Sequence, residues 1–177
     1  MKGLIIIGYP GIGKSSIAGK DGYIDLESSC FYVDGKRDPE WYIPYTNIAM
    51  NLANQGYTVF TSSHASVAHE LRTLQMIGFT MLKYKNIGDI VVFRPQAGQK
   101  WKHEWIERLQ KRYERTHLTK DYRALESVKT GFYEQLKQLD CSGFDVFTPD
   151  SLDYDLYDCV KAIRQQYCMC TADENDC

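Results

Sequence analysis

The stretch Leu4-Ile5-Ile6-Ile7-Gly8-Tyr9-Pro10-Gly11-Ile12-Gly13-Lys14-Ser15 decides the fold. Leu4 to Ile7 is an apolar run rich in β-branched residues, short enough for a buried strand. Gly8 to Ser15 follows it as a complete phosphate-binding loop of the form Gly-x-x-x-x-Gly-Lys-Ser. Gly8, Gly11 and Gly13 let the backbone turn tightly and bring its N–H groups against phosphate oxygens. Ser16, Ile17 and Ala18 can open a helix, whose N-terminus favours an anion. Lys14 is placed to reach the outer phosphates, and the Ser15 hydroxyl to ligate magnesium. Gly8, Gly11, Ile12, Gly13, Lys14, Ser15 and Ser16 are thus the expected nucleotide-binding residues, with ATP and Mg2+ as the implied cofactors. A glycine-rich turn with no ligand does not account for the strand before the loop and the Gly-Lys-Ser end together.

Outward from this loop, strand and helix signals alternate to the end of the chain. Strands are expected at residues 4–8, 23–26, 57–61, 90–93 and 145–147. The helix after the loop must be short, because Lys20-Asp21-Gly22 is turn-forming. Asp38 as cap and Pro39 at the first position predict a helix running to about Gly56. Val67, Leu71, Leu74 and Ile77 recur at helical spacing from about Ser66, and residues 79–86 fit either a continuation of that helix or an extra strand. Helices are expected at 101–115, 121–139 and 154–167, the first with Trp101, Trp105 and Leu109 on one stripe. Alternation of this kind implies an α/β fold: a parallel sheet with helices on both faces.

The chain has 177 residues, 44% of them hydrophobic and 25% charged, with a net charge of −2. That suits one soluble domain and gives no general pull toward nucleic acid or an anionic membrane. No apolar run approaches a membrane span and no leader is evident, so a cytoplasmic location is expected. The cysteines read as free thiols. Cys168, Cys170 and Cys177 crowd the C-terminal end, without the paired spacing of a zinc site.

Three features choose a chemistry. Ligands of an open parallel sheet bind beyond the carboxyl ends of its strands. Asp25 and Glu27 stand there at the end of the second strand, on one face, where a carboxylate can hold metal-bound water or take a proton. Asp25 is therefore a candidate catalytic and metal residue, and Glu27 a candidate acceptor residue. The third strand ends in Thr61-Ser62-Ser63-His64, which brings His64 to the same crevice. Arg108, Arg112 and Arg115 lie at helical spacing, with Arg123 on the next helix. Arg112 and Arg115 are the candidates for stabilising a transferring phosphoryl group, while Lys102 belongs to the solvated face.

The phosphate loop, the strand-two acid and the run Trp105-Ile106-Glu107-Arg108-Leu109-Gln110-Lys111-Arg112-Tyr113-Glu114-Arg115 resemble the nucleoside monophosphate kinases. Adenylate kinases carry a similar Ile-Glu-Arg-Leu-x-x-Arg at their lid. Ile24-Asp25-Leu26-Glu27-Ser28-Ser29, with Ser62-Ser63-His64 later, is similar to small kinase-like proteins of phages and bacteria. The resemblance implies a single three-layer P-loop NTPase domain with a helical lid near residues 99–119 and an acceptor region between Ser28 and Tyr45. It implies an ATP-dependent phosphotransferase acting on a nucleoside monophosphate, in the host cytoplasm if phage-encoded. Phage polynucleotide kinases share Gly-x-Pro-Gly-x-Gly-Lys-Ser and a strand-two acid acting as base. A kinase of a hydroxyl group, on a nucleoside or a polynucleotide 5′ end, is accordingly the alternative, and a non-catalytic nucleotide-binding module is a third. The adenylate kinase acceptor motifs are replaced here. Lys36 and Arg37 stand where one arginine motif is expected, and Arg72 follows the strand-three end. Tyr32, Trp41, Tyr42 and Tyr45 are available to stack an acceptor base. Ile90-Val91-Val92-Phe93 ends in Arg94 rather than aspartate, which argues against a motor ATPase.

Overall fold

A computed structural model describes residues 2–20, 22–81, 84 and 86–168. Five parallel strands form one sheet: β1 (Gly3–Gly8), β2 (Tyr23–Asp25), β5 (Thr58–Ser62), β6 (Ile87–Phe93) and β7 (Asp145–Phe147). Their order is β2-β5-β1-β6-β7. The chain leaves β1 to build β2 and β5 on one side, then crosses to β6 and β7 on the other. The phosphate loop therefore follows the strand at which direction reverses, the usual ligand crevice of such a sheet. Every residue of β1 is buried, so both its faces are covered. Among the described residues six α-helices do the covering: α1 (Lys14–Ile17), α2 (Tyr42–Asn54), α3 (Ala65–Met81), α4 (Gln99–Thr116), α5 (Thr119–Asp140) and α6 (Leu156–Cys168). α2 packs on β1 and β5 and against α3, α6 meets β6 and α1, and α4 and α5 form a helical hairpin.

Some boundaries differ from the sequence expectation. Asp38 and Pro39 do not open a helix. Asp38 instead closes a turn, its Oδ1 accepting the Glu40 N–H at 2.7 Å, and α2 begins only at Tyr42. β6 starts at Ile87, and the ambiguous segment before it resolves as helix to Met81. A small hairpin, β3 (Tyr32–Val33) with β4 (Lys36–Arg37), was not anticipated. Asp34 and Gly35 at its tip both have positive φ, the two-residue turn that matches the twist of paired strands.

The α4 stripe is core. Trp105 and Leu109 are wholly buried, and Trp105 Nε1 donates to the Pro10 carbonyl at 2.6 Å. Tyr9 meets Trp105 and Phe132 edge-on, which ties the loop after β1 to both helices of the hairpin. Through Trp105 and Leu109 the first half of residues 99–119 packs against the phosphate loop. Cys30, Cys141 and Cys159 are free thiols; Cys170 and Cys177 lie outside the described residues. No helix among the described residues is long and apolar enough to cross a membrane.

Candidate active site

The loop between β1 and α1 has the shape of an anion cradle. Gly11 and Gly13 have φ of +86° and +99°. A methyl group on Gly8 would stand 2.7 Å from Ile12 Cδ1 and 2.9 Å from Lys14 Cδ, so both side chains would have to shift to admit it. Lys14 and Ser15 open α1, where N–H groups have no intrahelical acceptor. Lys14 Nζ donates to the Gly8 carbonyl at 2.9 Å. Burial lowers its pKa, and the carboxylates of Asp25 and Glu27 pull the other way.

Two cavities meet at this loop. One is a cleft of about 240 Å³ that brings Lys14 and Ser15 together with Asp25, Glu27, His64 and Arg112. The other is an open groove on the far side of the loop, between α4 and residues 152–156, lined by Gly13, Ser15, Ser16, Arg112, Arg115 and Tyr154 among others. Arg112 lines both. Its guanidinium pairs with Asp121, which is almost wholly buried and also accepts from Thr116 Oγ1 at 2.5 Å.

The carboxyl end of β2 supplies the acids. Burial raises the Asp25 pKa against the opposing charge of Lys14. Burial also pushes Glu27 up, but hydrogen bonds from Lys120 and Ser29 outweigh it and hold the carboxyl below its usual value. Lys120 Nζ donates to Glu27 Oε1 at 2.9 Å, carrying the start of α5 across the cleft.

The β3–β4 hairpin supplies cations. Arg37 lies over the rings of Tyr32 and Trp41, at 4.2 and 3.9 Å, and donates to the Ser28 carbonyl at 2.8 Å. Arg123 lies 4.8 Å over the Tyr32 ring, so two guanidinium groups share one aromatic. Arg37 Nη1 is 3.3 Å from His64 Nε2. Arginine can only donate, so Nε2 accepts and the imidazole is neutral in this arrangement. Burial lowers the His64 pKa, and Arg37 and Lys14 lower it further.

The structure brings Lys14, Ser15, Asp25, Glu27, Arg37, His64 and Arg112 to one cleft. Four other candidates stand elsewhere. Arg72 lies at the opposite end of the sheet, beside Gln75, Asp89 and Phe144. Tyr42 packs against the core and is not part of the cleft wall. Tyr45 is wholly buried and has no face for a base. Arg115 lines the outer groove rather than the cleft with Lys14. Trp41 is only 8% exposed and serves as a floor for Arg37. Lys120 and Ser127 of α5 line the cleft and were not singled out for it; Arg123, named with the other arginines, lines it as well.

Ser15 and Asp25 share the cleft with Lys14, a hydroxyl and a carboxylate at the place where phosphate oxygens would lie. The donor set is all oxygen and suits a hard cation such as magnesium completed by water and phosphate. No cluster of three or more histidine, cysteine or acidic ligands occurs among the described residues.

No protein-family model matches the chain, and no curated protein matches it. Among solved structures the chain is similar to a gluconokinase from Sinorhizobium meliloti 1021. Sequence identity is 15%, over 90% of this chain and 87% of that one, with a TM-score of 0.45.

Proposed function

We propose that this chain is an ATP-dependent phosphotransferase whose acceptor is a nucleoside monophosphate. One observation carries the reading: the phosphate-loop Lys14 shares a cleft with Asp25 and with Arg37, Arg112, Lys120 and Arg123. Cations outnumber the two carboxylates there, which suits an acceptor that is itself an anion. The donor lies with its phosphates in the loop and its base in the groove beside Arg115 and Tyr154. The acceptor lies in the cleft under Arg37 and Arg123.

The reaction joins an acceptor phosphate oxygen to the γ-phosphorus and breaks the bond to the β–γ bridging oxygen, which leaves on ADP. Lys14 and Arg112 flank the transferring group from the two sides of the loop and stabilise its equatorial oxygens. Ser15 and Asp25 are the residues that would hold magnesium, which would supply neutralisation of the phosphate charge. Lys120, clamped on Glu27, and α5 close the cleft against water. A phosphate acceptor is already ionised, so no base is required.

A second reading has its own observation. Asp25 is a half-buried carboxylate whose pKa is raised by desolvation, the property of a poised base. It favours a hydroxyl acceptor, on a nucleoside or a polynucleotide 5′ end, with Asp25 taking the hydroxyl proton. ADP release measured across nucleoside monophosphates, nucleosides and 5′-hydroxyl oligonucleotides separates the two. Turnover only with monophosphates is expected. Turnover only with hydroxyl acceptors replaces the first reading by the second, and ATP binding without any ADP release leaves a binding module.

A further inference from the structure

We infer that the Tyr45 hydroxyl is a spacer that sets the width of the acceptor cleft, as an inserted rung between β2 and β5. The inference rests on the reading of that cleft as the acceptor site. β2 and β5 pair in register from Tyr23↔Thr58 to Asp25↔Phe60, and the ladder continues with Leu26 N–H donating to the Phe60 carbonyl at 3.0 Å. In a parallel ladder the next bond runs from the Ser62 N–H to the Leu26 carbonyl. Here both groups turn to Tyr45 instead. The Ser62 N–H donates to the phenol oxygen at 2.8 Å, and the hydroxyl donates to the Leu26 carbonyl at 2.8 Å. A phenol can do this because it is donor and acceptor at once. Burial pushes its ionisation up, so the hydroxyl keeps the proton it donates.

Two bonds in series stand where one of about 2.9 Å would hold the strands together. The strand ends are spread just where the cleft begins, with Glu27, Ser28 and Ser29 on one lip and Ser63 and His64 on the other. The ring that carries the oxygen is fixed. Tyr45 is wholly buried in α2, edge-on to Phe31 and beside Trp41, which in turn meets His64. Ser62 also lines the cleft, its side chain beside the Tyr45 hydroxyl. Tyr45 is thus a positioning residue. It touches no substrate, yet it decides how far the acids of one strand stand from the histidine of the other.

Tyr45→Phe keeps the ring and removes the oxygen. In a crystal structure of the variant, the Ser62 N–H is expected to bond the Leu26 carbonyl directly, with Glu27 and His64 drawn together. In steady-state assays with the best of AMP, GMP, CMP, UMP and dTMP, the acceptor KM is expected to rise about tenfold while the ATP KM stays unchanged. Tyr42→Phe, one turn away and outside the cleft, should change neither. A water molecule in place of the hydroxyl with the strand ends unmoved would overturn the inference. So would a lowered melting temperature with both KM values unchanged, or raised together, because the bond would then be structural only. If the wild-type protein releases no ADP with any acceptor, the phosphotransfer reading fails on its own. The strand spacing in the variant still decides whether the hydroxyl holds it.

Discussion

Lys14 sits under opposing influences: burial favours its neutral form, while Asp25 and Glu27 favour the ammonium. Its hydrogen bond to the Gly8 carbonyl parks the charge on the loop it must serve. Lys14→Ala removes the charge without opening the core and should lower turnover about 10²- to 10³-fold, with far-ultraviolet circular dichroism unchanged. A folded variant with near-normal turnover takes the loop out of catalysis. Asp25 carries the opposite burden. Its folded pKa is raised, so the ionised carboxylate disfavours the fold. Between the ordinary carboxylate value and the raised one, the folded state binds more protons, and stability falls as pH rises through that window. Asp25→Asn should therefore raise the melting temperature at neutral pH, the gain vanishing once pH drops below the ordinary carboxylate range. Activity should collapse at every pH if Asp25 is a base, and recover in part with added magnesium if it only orders metal-bound water. A melting temperature that is unchanged or lower at neutral pH contradicts the buried charge.

At the scale of elements, the α4–α5 hairpin divides the arginines that the sequence groups together. Arg112 is held by buried Asp121 and reaches the cleft, whereas Arg115 is exposed in the outer groove. Their substitutions should differ in kind. Arg112→Ala should lower kcat about 10²-fold, and the unpaired Asp121 should cost about 1–3 kcal/mol in urea unfolding. Arg115→Ala should act mainly on the ATP KM, by less than about tenfold, and Lys102→Ala on neither. Equal small effects from all three would mean a generic basic surface. The sheet and the cleft residues that sit directly at strand ends were legible, because alternation places strand ends at one rim. What depends on distance along a helix was not. Arg72 lies eight residues past His64, and at 1.5 Å per residue that carries it about 12 Å toward the amino ends of the strands. Lys120 meets Glu27 across 93 positions of sequence, and no local pattern announces such a pair. The hairpin went unread although Asp34-Gly35 is a turn signal, because Lys36-Arg37 has no strand preference of its own. Tyr45 read as an aromatic available to stack a base, and only tertiary structure shows where its hydroxyl goes.

For the molecule as a whole, the two cavities are not independent, because Arg112 lines both and is fixed from behind by Asp121. On the proposed reading, Arg112 held at that place offers its charge to the donor phosphates and to the acceptor alike. Binding at one site should then strengthen binding at the other, and by linkage the factor must be the same in both directions. Calorimetric titration of the best monophosphate acceptor, with and without a non-hydrolysable ATP analogue, should show about fivefold or greater tightening in the wild-type protein. Arg112→Lys keeps a charge for Asp121 but loses the forked donors that reach two partners at once. It should bring the factor close to one while leaving each single affinity within about threefold, since each site keeps its other cations. Undiminished coupling in that variant would move the link elsewhere, the nearest alternative being the Lys120–Glu27 bridge that spans the cleft. Antagonism between the two ligands in the wild-type protein would mean that they compete for one space, and the division into donor groove and acceptor cleft would be wrong.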